Sequence, residues 1–380
     1  MSTVIIFRNQ LLPISETFIA AQVRSLKRFD AQYVGLVHAN LSLPLPSNAI
    51  FLCGSSSQLS RLLVASYKLV AYPRYAYSRV RTTRAKLLHA HFGIDGVTAL
   101  PLLSYLKIPL VVTLHGYDVT ITDAAFRKTI GGCLYLARRS QLWKKASVFL
   151  CVSEFVRRKA LEAGFPKEKL KVHYIGIDQR LFECASNQTR RRSVLFVGRL
   201  VEKKGCSYLL EAMAEVQKQH RDLELVVVGS GPLAASLAGQ AKKLSLSCRF
   251  MGDQTQEVIR KLLQSAKVFC VPSVAATNGD SEGLGMVFAE AQAMGVPVVS
   301  FQHGGIPEVV RHGETGLLAP ERDVATLAKY IEQLVEDEAL WNRYSQAGVA
   351  WIKRQFDLEK QTRELEAIYE TLSGGSGFNR

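Results

Sequence analysis

A chain of 380 residues is longer than a single hydrophobic core ordinarily fills, so two domains are expected. With 48% apolar and 21% charged residues it is not a disordered, fibrous or disulfide-stapled chain, and no apolar run approaches the roughly 18 residues that span a bilayer. The formal charge of +15 lies in one half: residues 1–185 hold 25 Lys and Arg against 10 Asp and Glu, while residues 186–380 hold 23 of each sign, which points the first half toward an anionic partner.

Short β-branched runs alternate with longer amphipathic stretches from end to end, the pattern of parallel sheets flanked by helices. Strands are predicted at 4–7, 33–37, 87–90, 110–114, 148–152 and 172–175, then at 194–197, 223–228, 248–251, 268–271 and 297–300. The first run meets Arg8 at once, so no signal peptide is expected and a cytoplasmic location follows. His89 and His91 point the same way on a strand and the wrong way for a helical metal pair. The 7 cysteines are odd in number and none lies within three residues of another, which favours buried reduced thiols and no metal. The polar stretch 179–193 reads as an inter-domain linker, and after Pro320 the chain is helical at 322–335, 340–352 and 358–372 before a flexible Ser-Gly tail from Ser373.

Two segments carry the chemistry. In 282–295, Glu282 stands at the head of a glycine loop (Gly283, Gly285) and Glu290 lies within the helical pattern (Val287, Phe288, Ala291, Met294) that follows and ends at Gly295. A helix starting near Gly285 would offer free N–H groups to phosphate, and carboxylates eight positions apart can lie about 12 Å apart along a helix axis, at opposite ends of an extended ligand. In 197–205, Arg199 and Lys204 follow the first strand of the second half, where two cations can neutralise a leaving diphosphate.

Two further patterns open other readings. Gly229-Ser230-Gly231 and Ala234 fit a dinucleotide fingerprint, with Asp253 placed as a ribose-binding acid; alone this describes an NAD-dependent oxidoreductase, or simply a tight turn with Pro232 at a helix start. Tyr67, Tyr72, Tyr75 and Tyr77 interleave with Lys68, Arg74, Arg79, Arg81, Arg84 and Lys86, which suits an anionic membrane, a non-enzymatic nucleic-acid-binding protein, or a solvated helix with inward tyrosines.

The runs E-G-L-G-M-V-F-A-E-A from Glu282, G-R-L-V-E-K-K-G from Gly198 and G-G-I-P-E-V-V from Gly304 together resemble the signatures of retaining glycosyltransferase family 4. S-E-T-F-I from Ser15, H-A-H-F-G from His89 and T-L-H-G-Y-D from Thr113 extend the likeness to the exopolysaccharide, colanic-acid type branch. The resemblance implies the α/β GT-B fold, two facing Rossmann-like doubly wound domains: 1–180 on the acceptor side, a linker at 181–193, a donor domain at 194–355, and a final helix at 356–373 crossing back to the first domain.

It also implies roles. Glu290 takes the donor ribose, Glu282 the transferred sugar, Arg199 and Lys204 the diphosphate, and His115 the sugar at the reacting centre. Backbone around Gly283, Leu284, Gly285, Met286 and Val287 would hold phosphate, and Phe250, Met251 and Gly252 would line the base. Family members commonly carry a Gly-rich loop after the first strand, where this chain has 8–13, RNQLLP. Expected partners are a nucleotide diphosphate sugar, with GDP-mannose or a UDP-hexose favoured on family habit, and a saccharide or lipid-linked saccharide acceptor at an anionic inner membrane face. No cofactor, metal or nucleic acid is expected, since the two cations supply the charge a metal otherwise would.

Overall fold

The computed structural model describes residues 1–13, 16–38, 43–53, 58–70, 75–184 and 190–374. Two compact units result, Met1–Gly176 together with the segment from Leu358 onward, and Ile177–Asp357.

The first unit holds β1 (Ser2–Leu11), β2 (Phe29–His38), β3 (Ile50–Phe51), β4 (Leu87–His91), β5 (Leu110–Leu114), β6 (Val148–Cys151) and β7 (Leu170–Val172). They pair in parallel in the order β3-β2-β1-β4-β5-β6-β7. Leu87, Leu88, His89 and Ala90 are buried in succession, so neither face of the sheet meets water, the state of a strand covered on both sides. The winding reverses between β1 and β4, and ligand crevices open at such switch points beyond the strands' C-terminal ends. The helix Leu358–Gly374 completes this unit. Tyr369 packs in the core with Val4, Ile6 and Leu87, and the buried Glu366 carboxylate accepts the backbone N–H groups of Lys27 and Arg28 at 2.8 and 2.6 Å.

The second unit repeats the plan with β8 (Arg191–Val197), β9 (Glu224–Val228), β10 (Cys248–Phe250), β11 (Ala266–Cys270), β12 (Val298–Phe301) and β13 (Gly316–Ala319), ordered β10-β9-β8-β11-β12-β13. Its switch point lies between β8 and β11.

Several sequence expectations need correction. Residues 191–193 belong to β8 and not to a linker: Arg191 pairs with Ala266 and Ser193 with Glu224, while Arg190 donates to the carbonyls of Leu263, Gln264 and Met294. Asn187, Gln188 and Thr189 lie outside the described residues. β1 runs on through Leu11, so Arg8 sits on a strand and not in a loop. β3, two residues long, and β13 carry too little pattern to be foreseen; β13 opens on Gly316, where a Cβ would stand 2.5 Å from the Val298 carbonyl oxygen. The thiols are not uniformly buried, because Cys133 and Cys184 are exposed. Ser373 and Gly374 end the last helix, and the rest of the tail lies outside the described residues.

Among the interleaved tyrosines, Tyr67 and Tyr77 are buried, edge to face at 6.1 Å, while Arg79, Arg81, Arg84 and Lys86 are exposed. Tyr72, Arg74 and the side chain of Tyr75 lie outside the described residues. No helix among the described residues is long and apolar enough to cross a membrane.

Candidate active site

In the second unit the chain leaving β8 turns through Gly198 and Arg199 into a 3-10 turn, Glu202–Lys204, and the chain leaving β11 runs through Ser273 to Glu282. The two segments are joined along their length. Val274 N–H donates to the Lys203 carbonyl at 2.9 Å, and Thr277 donates N–H and hydroxyl to the Glu202 carboxylate at 3.0 and 2.8 Å. A Cβ on Gly205, whose φ is +65°, would lie 1.8 Å from the Pro272 carbonyl oxygen, so this close approach requires glycine.

That junction brings Lys204 Nζ to 2.5 Å from Glu282 Oε2 and Lys203 Nζ to 2.9 Å from Asp280. Ser273, fully buried, donates its hydroxyl to Glu282 Oε2 at 3.2 Å. Burial would raise the Glu282 carboxyl, but the charges of Lys204 and Lys203 and the hydrogen bonds from Lys204 and Ser273 outweigh it and hold the group at about 2. Glu282 is therefore a carboxylate at any working pH.

The helix expected near Gly285 spans Met286–Ala293, with Gly285 at its N-cap and no side chain capping it. Glu282 precedes this helix, so the two glutamates do not share one axis as the spacing implied. Met294 is the C-cap, one residue before the expected Gly295. Gly304 and Gly305 pack on the backbone behind the loop: a Cβ on either would meet the carbonyl oxygen of Glu282 or Gly283 within 2.3 Å, and Gly305 N–H donates to the Glu282 carbonyl at 2.9 Å. This presses Gly283 and Leu284, both buried, into place ahead of the half-buried Met286 and Val287.

Glu290 is half-buried and its carboxylate meets no partner among the described residues. Burial alone raises it to about 7. Arg199 is exposed, and its guanidinium is likewise unpaired among the described residues. Phe250 and Met251 are half-buried and Gly252 exposed at the end of β10, where the Gly252 carbonyl accepts the Gly229 N–H at 2.8 Å.

The glycines of the fingerprint serve the same packing. A Cβ on Gly229 would lie 2.0 Å from the Gly198 carbonyl oxygen and one on Gly231 2.4 Å from that of Leu200, while Asp253 accepts the Ser230 hydroxyl at 2.5 Å. They allow the turn after β9 to lie against the turn that carries Arg199.

In the first unit, Arg8 on β1 forms ion pairs with Glu16 and Asp95, donates to the His91 carbonyl at 3.2 Å and lies 4.4 Å from the centroid of the Phe92 ring. Beyond β5, His115 is fixed from several sides. Asp118 accepts the N–H groups of His115 and Gly93 at 2.9 and 2.6 Å, Phe92 lies 4.4 Å from the imidazole centroid to centroid, and His91 Nδ1 lies 3.2 Å from His115 Nε2. Burial first, then the charges of Arg8 and His89, holds His115 well below the usual histidine value, so it is a neutral ring. The sequence placed Arg199 and Lys204 just past one strand and His115 just past another, and the structure does the same; Glu282, expected on one helix axis with Glu290, lies instead in the loop before that helix. The sequence did not foresee Arg8, Asp118, Lys203, Asp280 or Ser273.

A family model described as glycosyl transferases group 1 matches residues 179–351, and one for Glycosyltransferase Family 4 matches residues 57–181. The amylovoran biosynthesis glycosyltransferase AmsK of Erwinia amylovora is 31% identical over 84% of this chain and 78% of its own. The putative colanic acid biosynthesis glycosyltransferase WcaL of Escherichia coli K12 is 30% identical over 76% of this chain and 71% of its own. Among solved structures, Anabaena Alr3699/HepE in complex with UDP and glucose superposes with a TM-score of 0.77 at 20% identity, over 98% of this chain and 100% of that one. Sucrose-phosphate synthase from Thermosynechococcus elongatus gives 0.79 at 19% identity, over 99% and 100%. These likenesses place the two parallel-sheet units in the GT-B fold.

Proposed function

The chain belongs to the group 1 and family 4 glycosyltransferases, and from that membership we propose that it is a metal-independent retaining hexosyltransferase. It takes a hexose from a nucleotide diphosphate sugar and places it on a lipid-linked or surface-polysaccharide acceptor at the inner face of the cytoplasmic membrane. The observation that carries this reading is the paired Lys204 and Glu282 beside the unpaired Arg199 and the uncapped helix start at Gly285. A diphosphate set there meets two cations and the first N–H groups of a helix. HepE was solved with UDP and with UDP-glucose, which supports a nucleotide-sugar donor. The basic first half and the exopolysaccharide relatives support the acceptor class.

In this reading an acceptor hydroxyl oxygen bonds to the anomeric carbon on the face from which the diphosphate departs, as the bond from that carbon to phosphate oxygen breaks. The hydroxyl proton passes to the leaving phosphate. Arg199 and Lys204 stabilise charge that grows on the diphosphate as the bond breaks, so their effect falls on the transition state more than on the bound donor.

The test is thermal stability in EDTA against saturating UDP, GDP, ADP and NAD. A ligand at 100 times its Kd adds about 2.7 kcal/mol to the state that binds it. One nucleoside diphosphate should raise Tm without metal; stabilisation by NAD alone, or by no nucleotide, overturns the proposal. Transfer of labelled sugar from the donor of that base into a solvent-extractable lipid then tests the acceptor class.

Glu290 gives a second expected result. Ribose hydroxyls donate best to the carboxylate, and its pKa is about 7 in the free protein, so binding should release a proton and tighten as pH rises from 6 to 8. Calorimetry in buffers of different ionisation enthalpy measures both effects. Glu290→Gln should abolish the pH dependence and weaken nucleotide binding about 10-fold or more, the worth of a hydrogen bond to a charged group. Stability moves the other way. A carboxyl raised in the folded state contributes stability below its ordinary value of 4.5 that is lost as pH rises through about 7, so the glutamine variant should melt higher than wild type at pH 8.

A further inference from the structure

The ends of β4 and β5 carry three histidines in a row. His89 is fixed at both ring nitrogens, Nδ1 at 2.5 Å from the Tyr369 hydroxyl and Nε2 at 2.7 Å from the Thr113 hydroxyl. His91 lies against it, ring centroids 4.3 Å apart and planes 26° apart. His91 Nδ1 then reaches His115 Nε2 at 3.2 Å, with the two rings nearly coplanar at 25° and centroids 5.4 Å apart, the geometry of an edge-to-edge hydrogen bond.

A bond between two neutral imidazoles needs one donor and one acceptor, so it selects one of two tautomer pairs. The other nitrogen of His91, Nε2, is buried and meets no partner among the described residues. If His115 donated, His91 would have to carry its proton on that Nε2, a buried N–H with nothing to bond. If His91 donates, Nε2 keeps only a buried lone pair, and orphaned buried N–H groups are the rarer and costlier case. His115 then accepts at Nε2 and carries its own proton on Nδ1, which meets no partner among the described residues on a half-buried ring. Burial, with the charges of His89, His115 and Arg8, holds His91 well below its ordinary value, so the neutral forms are the relevant ones.

We propose that His91 is a positioning residue: by donating its Nδ1–H to His115 Nε2 it fixes His115 in the tautomer that offers Nδ1–H as a hydrogen-bond donor to a hydroxyl oxygen of the transferred sugar. The sugar rests on the glycosyltransferase reading above; the tautomer does not. Tyr369 and Thr113 act one step further back, by locking the His89 ring on which His91 is stacked.

Long-range proton–nitrogen correlation on histidine-labelled full-length protein reads the tautomer directly, with the His115 signals identified by their loss in His115→Gln. The expected pattern is a protonated Nδ1 and an unprotonated Nε2. A protonated Nε2, or an even mixture, overturns the proposal whether or not any sugar is transferred. His91→Asn, whose side-chain amide can place an N–H near the imidazole Nδ1 position, should keep the pattern and turnover within about threefold. His91→Ala should lose the single tautomer and about tenfold in kcat, with the donor KM little changed. Wild-type kcat together with an unchanged nitrogen pattern in His91→Ala would also overturn it.

Discussion

Lys204→Ala is expected to lower turnover by about 10²–10³-fold, the effect of removing one charge-stabilising donor from a transition state. The same substitution disturbs the resting protein, because it strips a buried carboxylate of its closest cation. Glu282 is held at about 2 against burial mainly by Lys204 and Lys203. Breaking one side of such a buried pair costs about 3 kcal/mol or more.

Two controls separate these effects. Lys204→Ala/Glu282→Gln leaves no orphaned charge, so it should recover most of the lost stability and none of the lost activity. The stability penalty of the single variant should also depend on pH. In the wild type a depressed carboxyl contributes stability that is present above its ordinary value of 4.5 and lost only as pH falls toward 2. In the variant burial dominates and raises the carboxyl above that ordinary value, so the folded variant takes up the proton before the unfolded chain does; the gap in Tm between variant and wild type should begin to close above pH 4.5 and go on closing as pH falls further. A gap that stays constant across that range would mean Lys204 contributes packing and not charge, and would remove the electrostatic account of its role. Recovery of turnover in the double variant would remove Lys204 from the chemistry.

How much of this was legible in the sequence depends on the distance along the chain at which each feature is decided. Most strands of both sheets announce themselves through apolar runs, β3 and β13 excepted, and that the sheets are parallel follows from the alternation with helices, while the order of the strands comes from the structure. Arg199 and Glu290 stand where local spacing puts them, one just past β8 and the other inside the helix Met286–Ala293. The pairing of Lys204 with Glu282 could not be read, because the residues are 78 apart and meet only when β8 and β11 become neighbours. The same holds for Arg8 and Asp95, 87 apart, joined because β1 lies beside β4. A signal for the first pair was present: Lys203 and Lys204 follow one strand and Asp280 and Glu282 another, and in a doubly wound sheet those strands flank the switch point. The fingerprint glycines left two readings open, and the structure favours the turn. Gly229 and Gly231 fitted a dinucleotide fingerprint or a tight turn, and what they answer is the Gly198 and Leu200 carbonyl oxygens, backbone that the sequence alone does not place beside them.

His115→Ala is the complementary expectation from the first unit, a loss of turnover of about 10²-fold with the fold retained. The fold survives because Asp118 holds this turn through the backbone N–H of His115 and of Gly93, bonds that alanine keeps. What is lost is the imidazole beside Phe92 and with it the donor to the sugar proposed above. Because the ring is neutral well below its ordinary value, it should add no step to the activity profile between pH 6 and 8; a step there belongs to Glu290. Acid stability gives an independent count of that neutral ring. A histidine lowered in the folded state contributes stability that is present above 6.5 and lost as pH falls below it, at about 1.4 kcal/mol per pH unit for each such ring. His89 and His91 behave the same way, so the wild type should weaken steeply on acidification. Denaturant titrations of wild type and His115→Ala from pH 7 to 5 should differ by one proton in slope. Equal slopes would show that His115 is already protonated in the folded protein near pH 6, and that the ring meets the sugar as a cation and not as the neutral donor argued here.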